Sequence, residues 1–105
     1  MGEVTASLPS LDDFAGQLNT TFHFSSDAAL PSFDTELVEA EQTMSNAVQL
    51  SFSLLFRAPA DTQPVQGLYN AAHAVLGEML LFLVPVKQND EGLFFEAVFN
   101  KLLVK

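Results

Sequence analysis

The sequence predicts a mainly β domain of about six antiparallel strands, arranged as a barrel or as a two-sheet sandwich, with one short N-terminal helix. Three observations support this prediction. Residues 47–57 alternate apolar and polar side chains, as a half-buried strand does. Residues 66–100 contain three further apolar runs separated by two glycine-containing turns. Ten phenylalanines among 105 residues supply the bulky side chains that fill a small core.

The first predicted element is a helix of about two turns that follows Ser10. The Ser10 hydroxyl is suited to cap a helix, and Asp12 and Asp13 fall in the first turn, where the helix dipole favours negative charge. Helical spacing places four apolar residues on one face: Leu11, Phe14, Ala15 and Leu18. We expect this face to pack on the sheet as a lid.

Two short strands are predicted next, at residues 20–24 and 35–41, with a loop-like stretch between them. Phe22 and Phe24 share one face of the first strand. In the second, alternation divides the residues into two faces: Glu36, Val38 and Ala40 on one side, Leu37, Glu39 and Glu41 on the other. Paired carboxylates can act in acid–base catalysis, but on the outside of a strand they are expected to form a solvated face or a protected edge.

The long strand at residues 47–57 has a strongly apolar face, formed by Val48, Leu50, Phe52, Leu54 and Phe56. It ends at Arg57, the only arginine in the sequence. A proline-containing loop follows, and we expect Arg57 to pair with a carboxylate such as Asp61 and not to bind a substrate.

Residues 66–100 predict a meander of three strands. Gly77 supplies the positive φ of a tight hairpin, and residues 88–92 have the composition of a second turn. Residues 80–84 are apolar without interruption, and Phe94 and Phe95 must point to opposite sides of a strand. A helix, a second sheet or another subunit must therefore cover the second side. Pro85 predicts an edge, a bulge or a strand end.

The charge distribution is strongly acidic and uneven. The formal net charge is −9, and residues 1–56 contain eight acids but no Lys or Arg. Such a field repels phosphate backbones and anionic lipids, so we expect neither nucleic acid nor a membrane surface as a partner. The simplest role of the acids is to keep a Phe-rich domain in solution.

Length and composition predict one domain. We expect residues 1–9 to form a flexible tail and residues 10–105 a single β-rich domain. The N-terminal residues lack the basic and apolar regions of a signal peptide, and no apolar run approaches the ~20 residues of a membrane-spanning helix. Cytoplasmic residence is the resulting expectation. The absence of cysteine removes disulfides, thiolate chemistry and cysteine zinc sites.

Candidate chemistry is sparse. His23 and His73 are the only histidines, and neither has a second His two or four residues later that would form a local metal site with it. His73 lies four residues after Tyr69 on the same predicted face, and we expect it to be a hydrogen-bonded structural histidine. Residues 89–92 favour a turn over a calcium loop. No catalytic residue, metal or cofactor is predicted, and the domain is expected not to be an enzyme.

Several short motifs resemble a small uncharacterised bacterial domain family. After LDDF at residues 11–14 come, in order, FSLLFRAP at 52–59, QGLY at 66–69, His73 with Leu76-Gly77, LFLVPV at 81–86 and FEAVFN at 95–100. The resemblance covers residues 11–101 and agrees with the strand layout above. Some members of that family are associated with phage-tail-collar-like proteins, which implies a structural or assembly role.

Two functional hypotheses follow. In the first, the domain is a non-enzymatic structural or protein-interaction module whose surplus apolar face packs against a partner or a second copy, as part of a phage-tail-like system. In the alternative, the interior of a partly open barrel binds a small apolar molecule. The candidate residues for interaction or for the mouth of a ligand site are Tyr69, His73, Arg57 and Phe94. Because phenylalanines fill space well, we favour the first hypothesis.

Overall fold

The computed structural model describes residues 9–26 and 30–102. These residues form one helix and six strands: α1 (Leu11–Ala15), β1 (Thr21–Ser25), β2 (Phe33–Ser45), β3 (Gln49–Ala58), β4 (Gly67–His73), β5 (Gly77–Asn89) and β6 (Gly92–Leu102). Every strand pairing is antiparallel, and the order β1-β2-β3-β6-β5-β4 closes through pairing of β1 with β4. The mainly β prediction is confirmed, and the architecture is the barrel.

The barrel interior is filled by side chains that the period-two pattern directs inward. Phe56 of β3 meets the rings of Phe22 and Phe24 edge-on, at centroid distances of 5.2 and 5.0 Å. Phe33 of β2 stacks on Phe95 of β6 at 5.5 Å. Edge-to-face and offset stacked pairs are the favourable arrangements of aromatic rings, so these contacts stabilise the core beyond simple burial.

The helix α1 is shorter than predicted but begins as predicted. The Ser10 hydroxyl accepts a hydrogen bond from the Asp13 N–H, and the Asp13 carboxylate accepts one from the Ser10 N–H, which forms a capping box. Phe14 is fully buried and its ring lies 5.6 Å from that of Phe99. Ala15 and Leu18 are exposed, so the predicted four-residue apolar face is wrong at these two positions. The helix ends after five residues, so Leu18 lies beyond it and is not placed on the helical face.

The strand β2 departs from the simple alternation that the sequence predicts. Its register against β3 shifts between Leu37 and Glu39, so Val38 occupies a bulge. Leu37 consequently points into the core, whereas Glu39 and Glu41 are exposed. The prediction that Leu37 shares their face is therefore wrong. The strand also extends to Ser45, beyond the predicted end, because β3 pairs with it over that whole length.

The predicted meander is confirmed as β4, β5 and β6. Gly77 begins β5 with φ of 82°, and Gly92 begins β6 with φ of 151°. At Pro85 the register between β5 and β6 shifts, as the missing N–H donor predicts. The predicted tail, residues 1–9, lies outside the described residues except for Pro9.

One part of the barrel wall is not continuous between β5 and β6. Their pairing runs only from Val84 opposite Glu96 to Asn89 opposite Gly92. Within the described residues, the rest of β6 pairs with β3 alone and the first half of β5 pairs with β4 alone. The strands β2, β3 and β6 therefore continue past the closed barrel as a three-stranded arm, whose two edges belong to β2 and β6.

Candidate interaction surface

The outer surface of β4 and β5 carries a contiguous group of exposed apolar side chains, which we call the outer patch: Leu68, Leu80 and Phe82. Leu68 and Phe82 are direct cross-strand partners, and Leu80 lies two residues before Phe82 on the same face. Their exposed fractions are 61%, 59% and 49%. Leu81 and Leu83, which alternate with Leu80 and Phe82 along β5, are buried in the barrel. The second apolar face predicted for this strand is thus uncovered within the described chain.

The surroundings of the outer patch are polar and negative. Asn70 lies opposite Leu80, and Glu78 precedes Leu80 by two residues on the same face of β5. On β6, Glu96 lies opposite Val84, and Val98 follows on the same face with 57% of its surface exposed. No Lys or Arg occurs between residues 58 and 86. The patch is therefore an apolar surface with acids at its margin.

Tyr69 lies on β4 with its ring inside the barrel, beside the rings of Phe24 and Phe33. Its hydroxyl donates a hydrogen bond to the carbonyl oxygen of Val65. Burial raises the pKa of Tyr69 above its ordinary value. The side chain also lines a cleft of about 410 Å³ between the β1–β2 and β3–β4 connections, where Pro31 and Pro59 are among the lining residues.

His73 ends β4 and is hydrogen-bonded on both ring nitrogens, as a structural histidine is expected to be. The Thr20 hydroxyl donates to the Gln17 carbonyl at 2.6 Å, so its oxygen accepts from His73 Nε2 at 2.8 Å. The backbone N–H groups of Val75 and Leu76 both donate to Nδ1, at 3.0 and 3.1 Å. This arrangement fixes the neutral tautomer with the proton on Nε2. Burial lowers the pKa of His73, in agreement with the neutral form.

Arg57 and Phe94 are cross-strand partners on β3 and β6. Arg57 pairs with the carboxylate of Glu36 on β2, so the expected pairing with a carboxylate is confirmed, but the partner is Glu36 and not Asp61. The β2–β3 register sets this choice because it places Glu36 directly opposite Arg57. Phe94 is only 6% exposed, and Lys87 Nζ lies 4.5 Å from its ring centroid, a cation–π contact.

The four predicted site residues therefore fall into separate places. Arg57 and Phe94 are neighbours, whereas Tyr69 lines the cleft and His73 binds the segment before β1. None of the four belongs to the outer patch. Leu80 and Phe82 were not among the site residues predicted from the sequence. They belong to the uninterrupted apolar run at residues 80–84, which is the pattern that indicates them.

The described part of the chain holds no group of three or more His, Cys, Asp or Glu side chains arranged to bind a metal ion. In the same residues, no helix has the length and apolar character to cross a membrane. His23 contacts the Asp34 carboxylate at 2.7 Å, and both side chains are largely exposed. That pair is a surface ion pair when His23 is protonated, and surface pairs of this kind contribute little to stability.

These features define a small closed β-barrel with a short capping helix and an outer apolar surface that no described residue covers. Residues 9–99 match the model of a family described as a domain of unknown function, DUF6916, and the chain belongs to that family. No curated protein and no solved structure matches the sequence. The resemblance to a small uncharacterised domain family is thereby confirmed at the level of the family.

Proposed function

We propose that this domain is a non-enzymatic protein-interaction module that docks on another protein through the outer patch. The observation that supports the proposal is the pairing of Leu68 with Phe82, both about half or more exposed and extended by Leu80. Scattered single apolar residues on a surface are ordinary, but a contiguous group is typical of an interaction site. We extend the proposal to an accessory or assembly role in a phage-tail-like system, which rests only on the sequence resemblance.

The outer patch is unusual because the inward residues of the same strands already form the core. In an antiparallel sheet with one solvated face, the outward positions are expected to be polar. The β1–β2 outer surface follows that rule with Thr21, His23 and Asp34. The β4–β5 outer surface does not, although its inward residues already supply the core contacts of those strands. The apolar outward residues therefore contribute little to the isolated fold, and a protein surface is the partner that would bury them.

The test compares a variant of the outer patch with a control variant of an exposed apolar residue outside it. Leu80→Ser/Phe82→Ser removes the centre of the outer patch, and Val75→Ser removes an exposed apolar residue in the turn before β5. Partners are identified by crosslinking in the native host, purified, and titrated against wild type and both variants. We expect binding to weaken about tenfold or more for the double variant, since central apolar contacts dominate interfaces, and to be unchanged for Val75→Ser.

Two results would contradict the proposal. One is a purified partner that binds wild type and Leu80→Ser/Phe82→Ser equally well. The other is a crosslinked contact that maps away from β4 and β5. Light-scattering mass across a dilution series, measured for the same variants, shows whether a second copy of the chain occupies the patch.

A second candidate function is the binding of a small apolar molecule. The cleft beside Tyr69, with Phe33 and Leu30 among its lining residues, is the observation that favours it. Decanoate and indole are suitable probes, because both fit an apolar cleft of this size. Binding there raises the unfolding temperature of wild type but not of Leu30→Asp, which places a charge in the cleft. Equal shifts in both proteins, or none, would reject this candidate.

A further inference from the structure

We propose that the β6 edge of the three-stranded arm, residues 97–102, accepts an extended segment of the partner protein as an added β-strand. The segment is apolar and carries Lys or Arg beside its apolar residues. This inference rests on the proposed function, and it names the chemistry of the partner at the same surface.

Within the described residues, the backbone of β6 beyond Glu96 is paired on one side only. Its pairing with β3 continues in unbroken register from Ala58 opposite Leu93 to Gln49 opposite Leu102. On its other side, pairing with β5 stops at Glu96 within the described residues. Beyond that point the N–H and C=O groups that alternate toward β5 have no strand partner there. An edge of this kind is a template for an incoming strand.

The two edges of the arm differ in charge and in regularity. The β2 edge carries the exposed carboxylates Glu39 and Glu41, and its register is irregular at two places. Charges and bulges are the devices that prevent a sheet edge from pairing with another chain. The β6 edge at residues 97–102 has no bulge and no proline, and Lys101 is its one charged residue. Of the two edges of the arm, the β6 edge is therefore the more open to strand addition.

Exposed apolar side chains lie on both sides of the opening between β5 and β6. Val98 projects from the outer face of β6, where it would lie beside the side chains of an added strand. Leu80 and Phe82 precede Val84, the residue at which β5 leaves β6, so the outer patch borders the same opening. An added strand gains backbone hydrogen bonds from β6 and apolar contacts from both sides.

Charge also distinguishes between the possible occupants of this edge. Glu78 and Glu96 flank the opening on β5 and β6, and the whole chain has a net charge of −9. A second copy would bring the same acids against each other, whereas a segment with Lys or Arg would be attracted to them. Charge complementarity therefore favours a heterologous, basic segment over self-association.

The experiment begins with selection of short random peptides displayed on phage against the wild-type chain, with counter-selection against Leu80→Ser/Phe82→Ser. We expect the enriched sequences to alternate apolar residues with period two and to contain Lys or Arg. Hydrogen exchange with a synthetic selected peptide should slow for amides of β6 at residues 97–102 and stay unchanged for β2 at residues 39–45. Methylation of alternate backbone nitrogens in the peptide should weaken binding about tenfold, because it removes strand hydrogen bonds.

A matched pair of variants tests the charge. Glu78→Gln/Glu96→Gln and Glu39→Gln/Glu41→Gln remove the same number of charges, the first beside the opening and the second on the β2 edge. Only the first is expected to weaken peptide binding, and the effect should shrink as salt is added. Equal weakening by both pairs would mean that net charge alone attracts the peptide, and would overturn the basic-segment part of the proposal.

The remaining outcomes separate this inference from the proposed function. Peptides that need the outer patch but do not protect β6 would overturn strand addition and leave the interaction role standing. If no peptide depends on the patch, both proposals fail. A dimer that forms on concentration and protects β6 would assign the edge to a second copy and overturn the heterologous partner.

Discussion

The outer surfaces of two neighbouring strand pairs differ sharply, although both cover the same core. On β1 and β2 the outward side chains are polar, with His23 contacting Asp34 and Glu36 pairing with Arg57. On β4 and β5 the outward positions hold Leu68 and Phe82. Because the inward residues alone form the core, folding does not determine whether the outward residues are polar or apolar. Their polarity can therefore follow the medium that they contact. The difference indicates that water meets the first surface, and it is the basis for proposing a protein partner at the second.

The largest expected effect compares two phenylalanines, one inward and one outward. Phe56 is fully buried between Phe22 and Phe24, and Phe56→Ala should lower the free energy of unfolding by about 3–5 kcal/mol. Phe82 is half exposed, and Phe82→Ala should cost less than about 1 kcal/mol. Urea unfolding of both variants measures the difference. A similar loss for both would show that the outer patch is part of the core of the isolated chain.

The next effect concerns the glycine at which β6 begins. A Cβ on Gly92 would lie 2.3 Å from the carbonyl oxygen of Ala58, and its φ of 151° is unfavourable for other residues. Gly92→Ala should therefore destabilise the domain by about 3 kcal/mol. Gly67, which begins β4, has nothing within 4 Å of an added Cβ, so Gly67→Ala is the matched control. Equal decreases in unfolding temperature for Gly92→Ala and Gly67→Ala would contradict the close approach of the β5–β6 turn to β3.

A third prediction concerns His73, which links β4 to the segment before β1. Because burial lowers its pKa below the ordinary value of 6.5, the folded state resists a proton that the unfolded state accepts. The free energy of unfolding should therefore fall as the pH is lowered from 6.5 toward the pKa of His73 in the fold. Urea unfolding across this range measures the slope.

His23 provides the control for the pH dependence of the free energy of unfolding. His73→Gln should lower the free energy of unfolding by about 2 kcal/mol at neutral pH, because it disturbs the acceptor of two backbone N–H groups. The same variant should also reduce the fall of this free energy with decreasing pH. His23→Gln keeps His73 and should keep the decline. An unchanged slope in His73→Gln would assign the acid sensitivity to other groups.

The smallest effect belongs to the polar surface itself. Arg57 and Glu36 are 39% and 33% exposed, so solvent screens their attraction. A double-mutant cycle with Arg57→Ala and Glu36→Ala should give a coupling below about 1 kcal/mol that decreases with added salt. A coupling of several kcal/mol would mean that this surface contributes to the fold, and would weaken the contrast with β4 and β5.

The candidate surface was only partly predictable from the sequence. The apolar run at residues 80–84 required a second covered face, and the structure confirms that the strand is apolar on both sides. Which residues would be exposed depended on the register that pairs Leu68 with Phe82. His73 was correctly predicted to be hydrogen-bonded, but its partner Thr20 is 53 residues away in the chain. Such a pairing follows from the closure of β4 on β1, which no local pattern contains.

The sequence alone determined the local structure: the capped start of α1 at Ser10, the alternation within β1 and β3, and the glycine turn at Gly77. These depend on residues close together in the chain, where backbone preference and side-chain periodicity act directly. The tertiary structure decided the closure of the barrel, the bulge at Val38 and the pairing of Arg57 with Glu36. Those outcomes depend on which distant strands pair and in what register, and many registers satisfy the same local pattern.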